Sequence, residues 1–423
     1  MRRLWLAAIC MAALGLVAAS PAQAAFDDPL FFFTPQPPPE PPIVPPPFGY
    51  LNGPCGLTVN SEGRIYVSDY YHRVVDVFAP SQTKPTLKYD GQPLSAYSVL
   101  PNPHAGPVDD PCGLALDSSG ALYLNNYHRN VIRFPAPVSL ANANDKAIDS
   151  GDPSNVYANP TGVAVDPAAN AVYVDDRTYV ASYNSAGTAL GKIGEGTLQD
   201  GYGIAVSGFP ATAGYLYVPD AATKTVKVYN PAVETTNPIA SFAKPGGFGS
   251  LVDSAIAVDN STGEAYVIDT IDPQLSERPQ AIVYVFSAAG VYEGRLKRAT
   301  INAAPTGLAV DNSGGDTQGR VYVTSGIAEE ASIYAYPPHA ATSASAPPLG
   351  LGSSPEGTSA SARSSGSAAA VAAADAVPET ALSLSPSSSQ AQARRAARKS
   401  RRARRHHHRH RTREAHRAKR DRR

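Results

Sequence analysis

The chain has 423 residues, and its 36 Lys and Arg residues balance 36 Asp and Glu residues to a formal net charge of zero. A hydrophobic fraction of 43% is enough to bury a core, whereas 39 prolines and 34 glycines favour many turns over long helices. Three cysteines exclude a disulfide-dense scaffold and argue against a metal-cysteine domain.

The charge is distributed unevenly along the chain. Residues 394–423 hold 16 of the 36 Lys and Arg residues and two acidic residues, which leaves 20 basic and 34 acidic residues in the remainder. Such asymmetry is typical of a basic tail attached to an acidic globular body. The neutral average therefore does not exclude a polyanionic partner, because the tail alone is able to bind one.

The N-terminus has the pattern of a secretory signal peptide. Arg2 and Arg3 precede an apolar run at 4–19, and small residues stand at the −3 and −1 positions of a cleavage site after Ala24. The run is shorter than the roughly 18 to 20 apolar residues that span a bilayer, and no later segment is long enough. The sequence predicts a signal peptide at 1–24, no transmembrane segment, and a protein that is secreted, either extracellular or associated with the cell surface.

A proline-rich lead follows at 25–48. Ten of the 19 residues at 29–47 are proline, which predicts a stiff, extended segment. The apolar run at 30–33 within this lead is expected to dock on the folded body.

Residues 49–340 contain six repeats whose starts are 41 to 57 residues apart. Each repeat opens with a short apolar strand at 54–60, 111–117, 160–166, 201–207, 253–259 or 305–311. A second strand centred on tyrosine follows after a turn, and a third strand ends in an aromatic residue. Short alternating strands in repeats of this size are typical of propeller blades, which bury their faces only when stacked. The sequence therefore predicts an all-β, six-bladed β-propeller.

The sixth repeat shows only three strands, and propellers commonly close when an N-terminal strand completes the last blade. The candidates for this strand are 31–33 and 43–50.

The repeat motif itself resembles a known family. Pro-x-Gly-hydrophobic-Ala-Val-Asp, then Gly-x-hydrophobic-Tyr-Val-x-Asp, then a strand ending in Phe, is similar to the NHL-repeat β-propellers over about 290 residues. The Asn-His-Arg element of that family survives only as His72-Arg73 and His128-Arg129. The resemblance implies the fold. Six-bladed relatives such as the gluconolactonase-like enzymes hold a divalent metal at the channel mouth with Asp, Asn and Glu.

Small polar residues precede the first strand of each repeat, at positions that converge on one mouth of the channel in a closed propeller. They are Asn52, Asp110 together with Asp109, Asn159, Asp200, Asp253 and Asn302. They either bind a ligand or a divalent cation, Ca or Zn, or serve as ordinary turn residues, since Asn and Asp are common in turns. No cofactor is assigned beyond this candidate cation in the central channel.

Other polar residues of the repeats favour structural roles. Asp69, Asp175, Asp220 and Asp269 close the second strands and are interpreted as turn caps. His72 and His128 lie in equivalent loops one blade apart, so a structural role is favoured over an acid–base pair. No catalytic residue is assigned, because no G-x-S-x-G, H-E-x-x-H or P-loop motif occurs. Cys55 and Cys112 either form a disulfide or lie too far apart for one, beyond a Cα separation of about 7 Å.

The C-terminal part is predicted to be disordered. Residues 341–393 are rich in Ala, Ser and Pro, which cannot bury enough apolar surface to offset ordering of the backbone. The basic tail at 394–423 follows, and its clustered Arg and Lys side chains are suited to a polyanion such as an anionic cell-surface polymer. The residues expected to bind it are Arg394, Arg395, Arg398, Lys399, Arg401, Arg402, Arg404 and Arg405. Aromatic residues are not interleaved, so sequence-specific binding of nucleic acid is not expected.

Two functions fit this organisation. The favoured prediction is a secreted, non-enzymatic binding or scaffold protein that holds a protein or small ligand on a propeller face, with the tail on an anionic surface. The alternative is a metal-dependent lactonase or lyase that acts at the mouth of the central channel. Fold alone does not choose between them, because propellers support both.

Overall fold

Strands joined by turns make up the described part of the chain. The computed structural model describes residues 24–25, 29–33, 50–81, 85–95, 108–139, 148–149, 160–166, 168–271, 280–297, 301–302, 307–325 and 331–339, and none of them is helical. The chain divides into two units, Met1–Pro355 and Glu356–Arg423, and the described residues all lie in the first. No helix in these ranges is long and apolar enough to cross a membrane. Most of the predicted signal peptide and proline-rich lead, the linker and the basic tail lie outside the described residues.

The first half of the propeller is formed by four-stranded and three-stranded antiparallel sheets. Two short strands come first, β1 (Ala24–Ala25) and β2 (Phe31–Phe33). Blade 1 contains β3 (Pro54–Val59), β4 (Ile65–Asp69), β5 (Val74–Pro80) and β6 (Leu87–Ser95). Blade 2 contains β7 (Pro111–Leu116), β8 (Leu122–Asn126) and β9 (Asn130–Phe134). Blade 3 contains β10 (Gly162–Asp166), β11 (Ala171–Asp175), β12 (Val180–Asn184) and β13 (Ala189–Ile193).

The second half repeats this order. Blade 4 contains β14 (Ala205–Val206), β15 (Leu216–Asp220), β16 (Thr225–Tyr229) and β17 (Ala240–Phe242). Blade 5 contains β18 (Ile256–Val258), β19 (Ala265–Ile271), β20 (Gln280–Phe286) and β21 (Tyr292–Arg295), with β1 beside β21 and β22 (Ile301–Asn302) beside β20. Blade 6 contains β23 (Leu308–Val310), β24 (Val321–Ser325) and β25 (Ser332–Tyr336). The predicted all-β, six-bladed propeller is confirmed.

The blades bury both faces, and the two-residue period of a strand decides which neighbour each side chain meets. In β15, Leu216 and Val218 pack toward blade 3, whereas Tyr217 between them packs toward blade 5. Six apolar clusters arise in this way, one at each junction between neighbouring blades. The aromatic residues that end the third strands fill these junctions, as Phe78 and Phe134 do without any exposed surface.

The innermost strands approach one another closely around the channel. A Cβ atom on Gly162 would lie 2.8 Å from the Cα atom of Gly203 in the next blade, so a larger residue does not fit there. Cys55 and Cys112 occupy equivalent positions in neighbouring inner strands, with their Cα atoms 4.7 Å apart, and form a disulfide. Of the two alternatives for these cysteines, the structure has the disulfide, because small residues such as Gly56 let the neighbouring inner strands approach closely.

The ring closes through the N-terminal lead. Strand β2 pairs antiparallel with β25, so that Phe31 is opposite Ala335 and Phe33 is opposite Ile333. Of the two candidate segments, the structure therefore uses 31–33 as the fourth strand of blade 6. The Phe33 ring also packs against Phe78 of blade 1, with the ring centroids 5.5 Å apart.

Candidate functional site at the channel mouth

The starts of the inner strands and the turns between the second and third strands meet at the same end of the channel. A cavity of about 430 Å³ begins there and is walled by the six inner strands, whose exposed backbone and small side chains leave it open. Its rim at this end carries Tyr70, Tyr71, Tyr127, Tyr202 and Asp253. Four phenols and one carboxylate are therefore available to a molecule in the cavity.

Tyr127 and Asp253 form the first functional pair. The Tyr127 hydroxyl donates a short hydrogen bond to Asp253 Oδ1. Asp253 has a φ of 56°, and this left-handed turn places the residue just ahead of β18, a conformation that Asp tolerates better than most residues. Burial raises the pKa of Tyr127 well above its usual value, and the charge of Asp253 adds to this shift. Tyr127 is therefore a neutral donor that orients the carboxylate.

Arg177, Asp200 and Tyr202 form the second group. Arg177 donates from Nε and Nη2 to Asp200 Oδ1, over 2.8 and 2.5 Å. The same Nη2 donates to the Tyr202 hydroxyl over 3.0 Å, and the guanidinium lies 5.0 Å from the centre of the Tyr202 ring. Burial raises the pKa of Tyr202 to about 12, so its hydroxyl keeps its proton near neutral pH. Because that oxygen accepts from a cation, its own hydrogen is polarised and available to an acceptor in the cavity.

His128 packs against Tyr127 and is close enough to Arg177 to feel its charge. Its ring centroid is 3.9 Å from that of Tyr127, and its buried Nδ1 has no hydrogen-bond partner among the described residues. Burial lowers the pKa of His128, and the positive charge of Arg177 lowers it further. The imidazole is thus held neutral, and it supports Tyr127 through packing rather than by charge.

A third group lies on the blade 1 and blade 2 side of the mouth. Arg73 Nε is 3.4 Å from Asp109 Oδ1 and 3.7 Å from Asp110 Oδ1, and Arg129 also pairs with Asp109. Burial raises the pKa of Tyr70, and the charge of Asp110 and a hydrogen bond to it raise it further. Asp110 is therefore a partner of Arg73 and Tyr70 rather than a member of the Tyr127 group.

The remaining predicted mouth residues are not brought together. The backbone N–H of Asn52 donates to Asp69 Oδ2 over 2.6 Å, which makes Asn52 part of a capped turn. Asn302 lies in β22, opposite Gln280 of blade 5. Asn159 lies outside the described residues.

The aspartates at the ends of the second strands serve as turn caps, as predicted. Asp269, for example, accepts the backbone N–H groups of Gly249 and Ser250 at 2.9 and 2.8 Å. His72 has the structural role that was favoured for it, since its Nδ1 lies 2.9 Å from Asp69 Oδ2 and 3.1 Å from the carbonyl oxygen of Tyr50.

The described mouth residues do not fit a divalent metal. Asp200 is paired with Arg177, Asp253 accepts the Tyr127 hydroxyl, and Asp110 lies beside Arg73. A cluster able to hold an ion does exist among the described residues, but it lies on blade 5 and after blade 6 and consists of Glu264, Glu293 and His339.

Sequence reasoning found the acidic members of the mouth and missed Tyr127, Arg177 and Tyr202. The signal for Tyr127 was present, because Tyr70 and Tyr127 directly follow the second strands of two repeats. In the third repeat Asp176-Arg177 stands where the first two repeats carry His-Arg, and Tyr202 stands at a position where the other repeats carry Cys, Thr or Ser.

Comparison with known proteins finds solved structures of low similarity. No family model matches the chain, so the NHL-repeat resemblance is not confirmed, and no curated protein sequence matches it either. The solved structure of virginiamycin B lyase from Staphylococcus aureus is 11% identical, with a TM-score of 0.42 over 67% of this chain and 94% of that one. A putative gluconolactonase is 14% identical, with a TM-score of 0.45 over 68% and 89% of the two chains. A streptogramin B lyase is 10% identical, with a TM-score of 0.41 over 72% and 97%.

These findings correct the favoured functional prediction. The prediction of a non-enzymatic binding scaffold is contradicted, since the similar solved propellers are lyases and a putative gluconolactonase. At identities of 10 to 14% and TM-scores below 0.5, the likeness carries no argument about the reaction, which is therefore argued from the residues at the mouth.

Proposed function

We propose that the chain is an enzyme, a lactonase or lyase of the propeller type, that acts on a small organic molecule at the mouth of the central channel. The observation that carries this proposal is that a carboxylate, Asp253, and a phenol polarised by Arg177, Tyr202, both line the rim of one cavity. A base and an oxyanion donor facing one space are what both reactions need.

Asp253 is the proposed general base. Its Oδ1 is held by Tyr127, and no described residue donates to its Oδ2. In a lactonase, Oδ2 would take a proton from the water that attacks the carbonyl and return it to the alkoxide released when the ring C–O bond breaks. In a lyase, it would take a proton from the carbon next to a carbonyl, a C=C bond would form as the bond to the leaving group breaks, and the proton would pass to that group. The two reactions differ in the proton removed, and the same carboxylate serves both.

Tyr202 is the proposed stabiliser of negative charge. In either reaction the carbonyl oxygen of the substrate gains negative charge, and the Tyr202 hydroxyl donates to it while accepting from Arg177. Asp200 fixes the guanidinium from the other side. No step requires a metal, in keeping with the carboxylates that are already paired at the mouth.

The cavity favours an uncharged, compact substrate. Below the rim its walls are strand backbone, apolar side chains and a few uncharged polar side chains such as Thr161 and Ser254, and its volume of about 430 Å³ lies in the range of pockets that hold small ligands. A cyclic ester fits these properties better than a polymer or a highly charged metabolite.

The test is a panel of aliphatic and aromatic lactones, together with cyclic depsipeptides as lyase substrates, assayed with the full chain. We expect turnover of at least one class, and Asp253→Asn should lower kcat about 10²- to 10⁴-fold. Tyr202→Phe should lower it roughly 10²-fold, since it removes one oxyanion donor. Tyr71→Phe is the matched control, because Tyr71 is on the same rim, has an exposed ring and should leave kcat unchanged.

Turnover that Asp253→Asn leaves intact would contradict the assigned base. Chelation is tested in the His339→Ala variant, which lacks the cluster on blades 5 and 6. If a chelator abolishes turnover there and a divalent ion restores it, the result would instead support a metal at the mouth. Absence of turnover in the wild-type chain with every class would contradict the enzyme proposal.

We also propose that the chain is exported and that residues 394–423 bind an anionic surface. The Cys55–Cys112 disulfide supports export, because such bonds persist in oxidising compartments. Sixteen basic residues in 30 support the second part, since they release counterions from a polyanion. Binding to an anionic cell-wall polymer should weaken steeply with added salt and disappear when residues 394–423 are deleted; retention of the deleted form would contradict it.

A further inference from the structure

Three side chains from separate parts of the sequence meet away from the channel mouth. Glu264 lies in the turn before β19, Glu293 lies on the outer strand β21 of blade 5, and His339 follows β25 of blade 6. Their ligand atoms all lie within 4.8 Å of one another. The fold thus brings two carboxylates and an imidazole together at the junction of blades 5 and 6.

Glu264 is the buried centre of this group. It is only 2% exposed, and its Oε1 lies 2.5 Å from His339 Nδ1. Burial raises its pKa, the contact with His339 opposes that shift, and the charge of Glu293 adds to it. Two carboxylates that repel each other are held near one imidazole, and a buried charge of this kind needs a compensating cation.

Tyr266 orients this carboxylate from outside the group. The Tyr266 ring has no exposed surface, and its hydroxyl donates to Glu264 Oε2 over 2.9 Å. The bond leaves Oε1 as the oxygen that faces His339. A ligand whose second oxygen is fixed by a hydrogen bond is the arrangement found around metal-binding carboxylates.

The donor set indicates the metal. Zinc accepts both imidazole nitrogen and carboxylate oxygen, whereas Ca²⁺ and Mg²⁺ prefer oxygen ligands alone, so the imidazole of His339 favours zinc. Ligand atoms in a tetrahedral zinc shell with bonds of about 2.0 Å are roughly 3.3 Å apart. Glu264 and His339 would therefore separate by less than about 1 Å to admit the ion.

We propose that Glu264, Glu293 and His339 bind one Zn²⁺ ion, which fastens the chain leaving blade 6 onto blade 5. The site is separate from the channel mouth and does not depend on the proposed enzyme activity. The ion would neutralise the carboxylate pair and cross-link two blades that are neighbours in the ring, with water in the fourth tetrahedral position.

The test uses the full chain, freed of metal and titrated with ZnCl₂. The tail carries five histidines, a residue type that binds zinc, so the reference protein carries Ala at 406, 407, 408, 410 and 416 in place of His. We expect one tightly bound equivalent by elemental analysis after dialysis, and a zinc-dependent rise in Tm. His339→Ala and Glu264→Gln should each abolish both effects, and Tyr266→Phe should weaken zinc binding about 10- to 100-fold.

Two controls keep the outcome unambiguous. Glu195→Gln changes an exposed carboxylate paired with Lys192 and should leave stoichiometry and Tm shift unchanged. Urea unfolding of the metal-free Glu264→Gln variant, beside the metal-free reference, distinguishes a loss of zinc binding in a folded protein from misfolding. The proposal would be overturned if His339→Ala still binds one equivalent of zinc, or if zinc does not raise the Tm of the reference protein. Lactone turnover should be the same in all these variants, because the site is separate from the channel mouth.

Discussion

Tyr127 of blade 2 donates its hydroxyl hydrogen to Asp253 Oδ1 of blade 5, a residue 126 positions away in the sequence. Blades 2 and 5 are opposite one another in a ring of six, so this hydrogen bond crosses the mouth of the channel. Every other blade-to-blade contact described above joins neighbours. The pair therefore both positions the proposed base and ties the two halves of the ring.

Tyr127→Phe should lower the free energy of unfolding by about 1 to 2 kcal/mol, because it removes a hydrogen bond to a carboxylate and leaves that group half-buried. Urea unfolding measures the change. Tyr71→Phe serves as the control, since its ring is 52% exposed. In the double variant Tyr127→Phe, Asp253→Asn the two effects should not add, because both remove the same bond. Additive losses would show that the bond does not couple the blades.

The fold was predictable because the same strand pattern recurs six times in the sequence. The turn residues before each inner strand, the central tyrosine and the terminal aromatic all recur, and each corresponds to a packing requirement of a blade. Even the closing strand was among the predicted candidates, since Phe31 and Phe33 are apolar residues in a lead that is otherwise rich in proline.

The site was only partly predictable, because a repeat specifies what the blades share, whereas the site depends on how they differ. Asp200 and Asp253 were singled out by their position before the inner strands. Their partners could not be inferred, since the Tyr127–Asp253 bond spans the channel and no local pattern encodes it. The cluster of Glu264, Glu293 and His339 was missed for the same reason, as its members come from three separate elements.

The disulfide between Cys55 and Cys112 should contribute to stability mainly by restricting the unfolded chain. Its partners are 57 residues apart, and loop closure of that length is worth about 4 kcal/mol in the chain-entropy description. The double variant Cys55→Ala, Cys112→Ala should lose a comparable amount in urea unfolding. Reduction of the wild-type chain should have the same effect, and reduction of the double variant should have none. A stability that is insensitive to reductant would contradict this role.

His72 and His128 occupy equivalent positions in the repeats and should have opposite effects on stability as the pH changes. Burial and Arg177 lower the pKa of His128, so the unfolded chain binds more protons near pH 6.5 and stability is lost as the pH falls through that value. Burial alone would lower the pKa of His72, but the hydrogen bond and charge of Asp69 raise it above 6.5. Its contribution is present below pH 6.5 and is lost as the pH rises through the raised pKa.

Unfolding by urea between pH 5 and pH 8 separates the two histidines. Relative to the wild type, His128→Gln should gain stability as the pH is lowered, whereas His72→Gln should lose the most at the acidic end. The same pH dependence in both variants would show that the two environments do not differ as described.

Asp176 and Asp117 give the matching contrast for buried acids. Burial raises the pKa of Asp176 to about 9, the neighbouring Asp149 carboxylate adds to this, and Asp176 Oδ1 has no hydrogen-bond partner among the described residues. Burial would also raise the pKa of Asp117, but hydrogen bonds from Ser119 and from the backbone N–H of Ala121 outweigh it and lower the pKa. Asp176 is thus held protonated near neutral pH, and Asp117 is held ionised.

The stability consequences have opposite signs. The folded chain keeps a proton on Asp176 that the unfolded chain releases above pH 3.8, so wild-type stability falls as the pH rises from 3.8 toward about 9. Asp176→Asn mimics the protonated form and should gain stability relative to the wild type, by up to about 4 kcal/mol at pH 7. Asp117→Asn should instead lose stability above pH 3.8, because the ionised carboxylate accepts the hydrogen bonds that stabilise the turn. Urea unfolding at pH 4, 7 and 9 tests both predictions. If Asp176→Asn is less stable than the wild type at pH 7, then Asp149 and Asp176 are both ionised and other groups offset their repulsion.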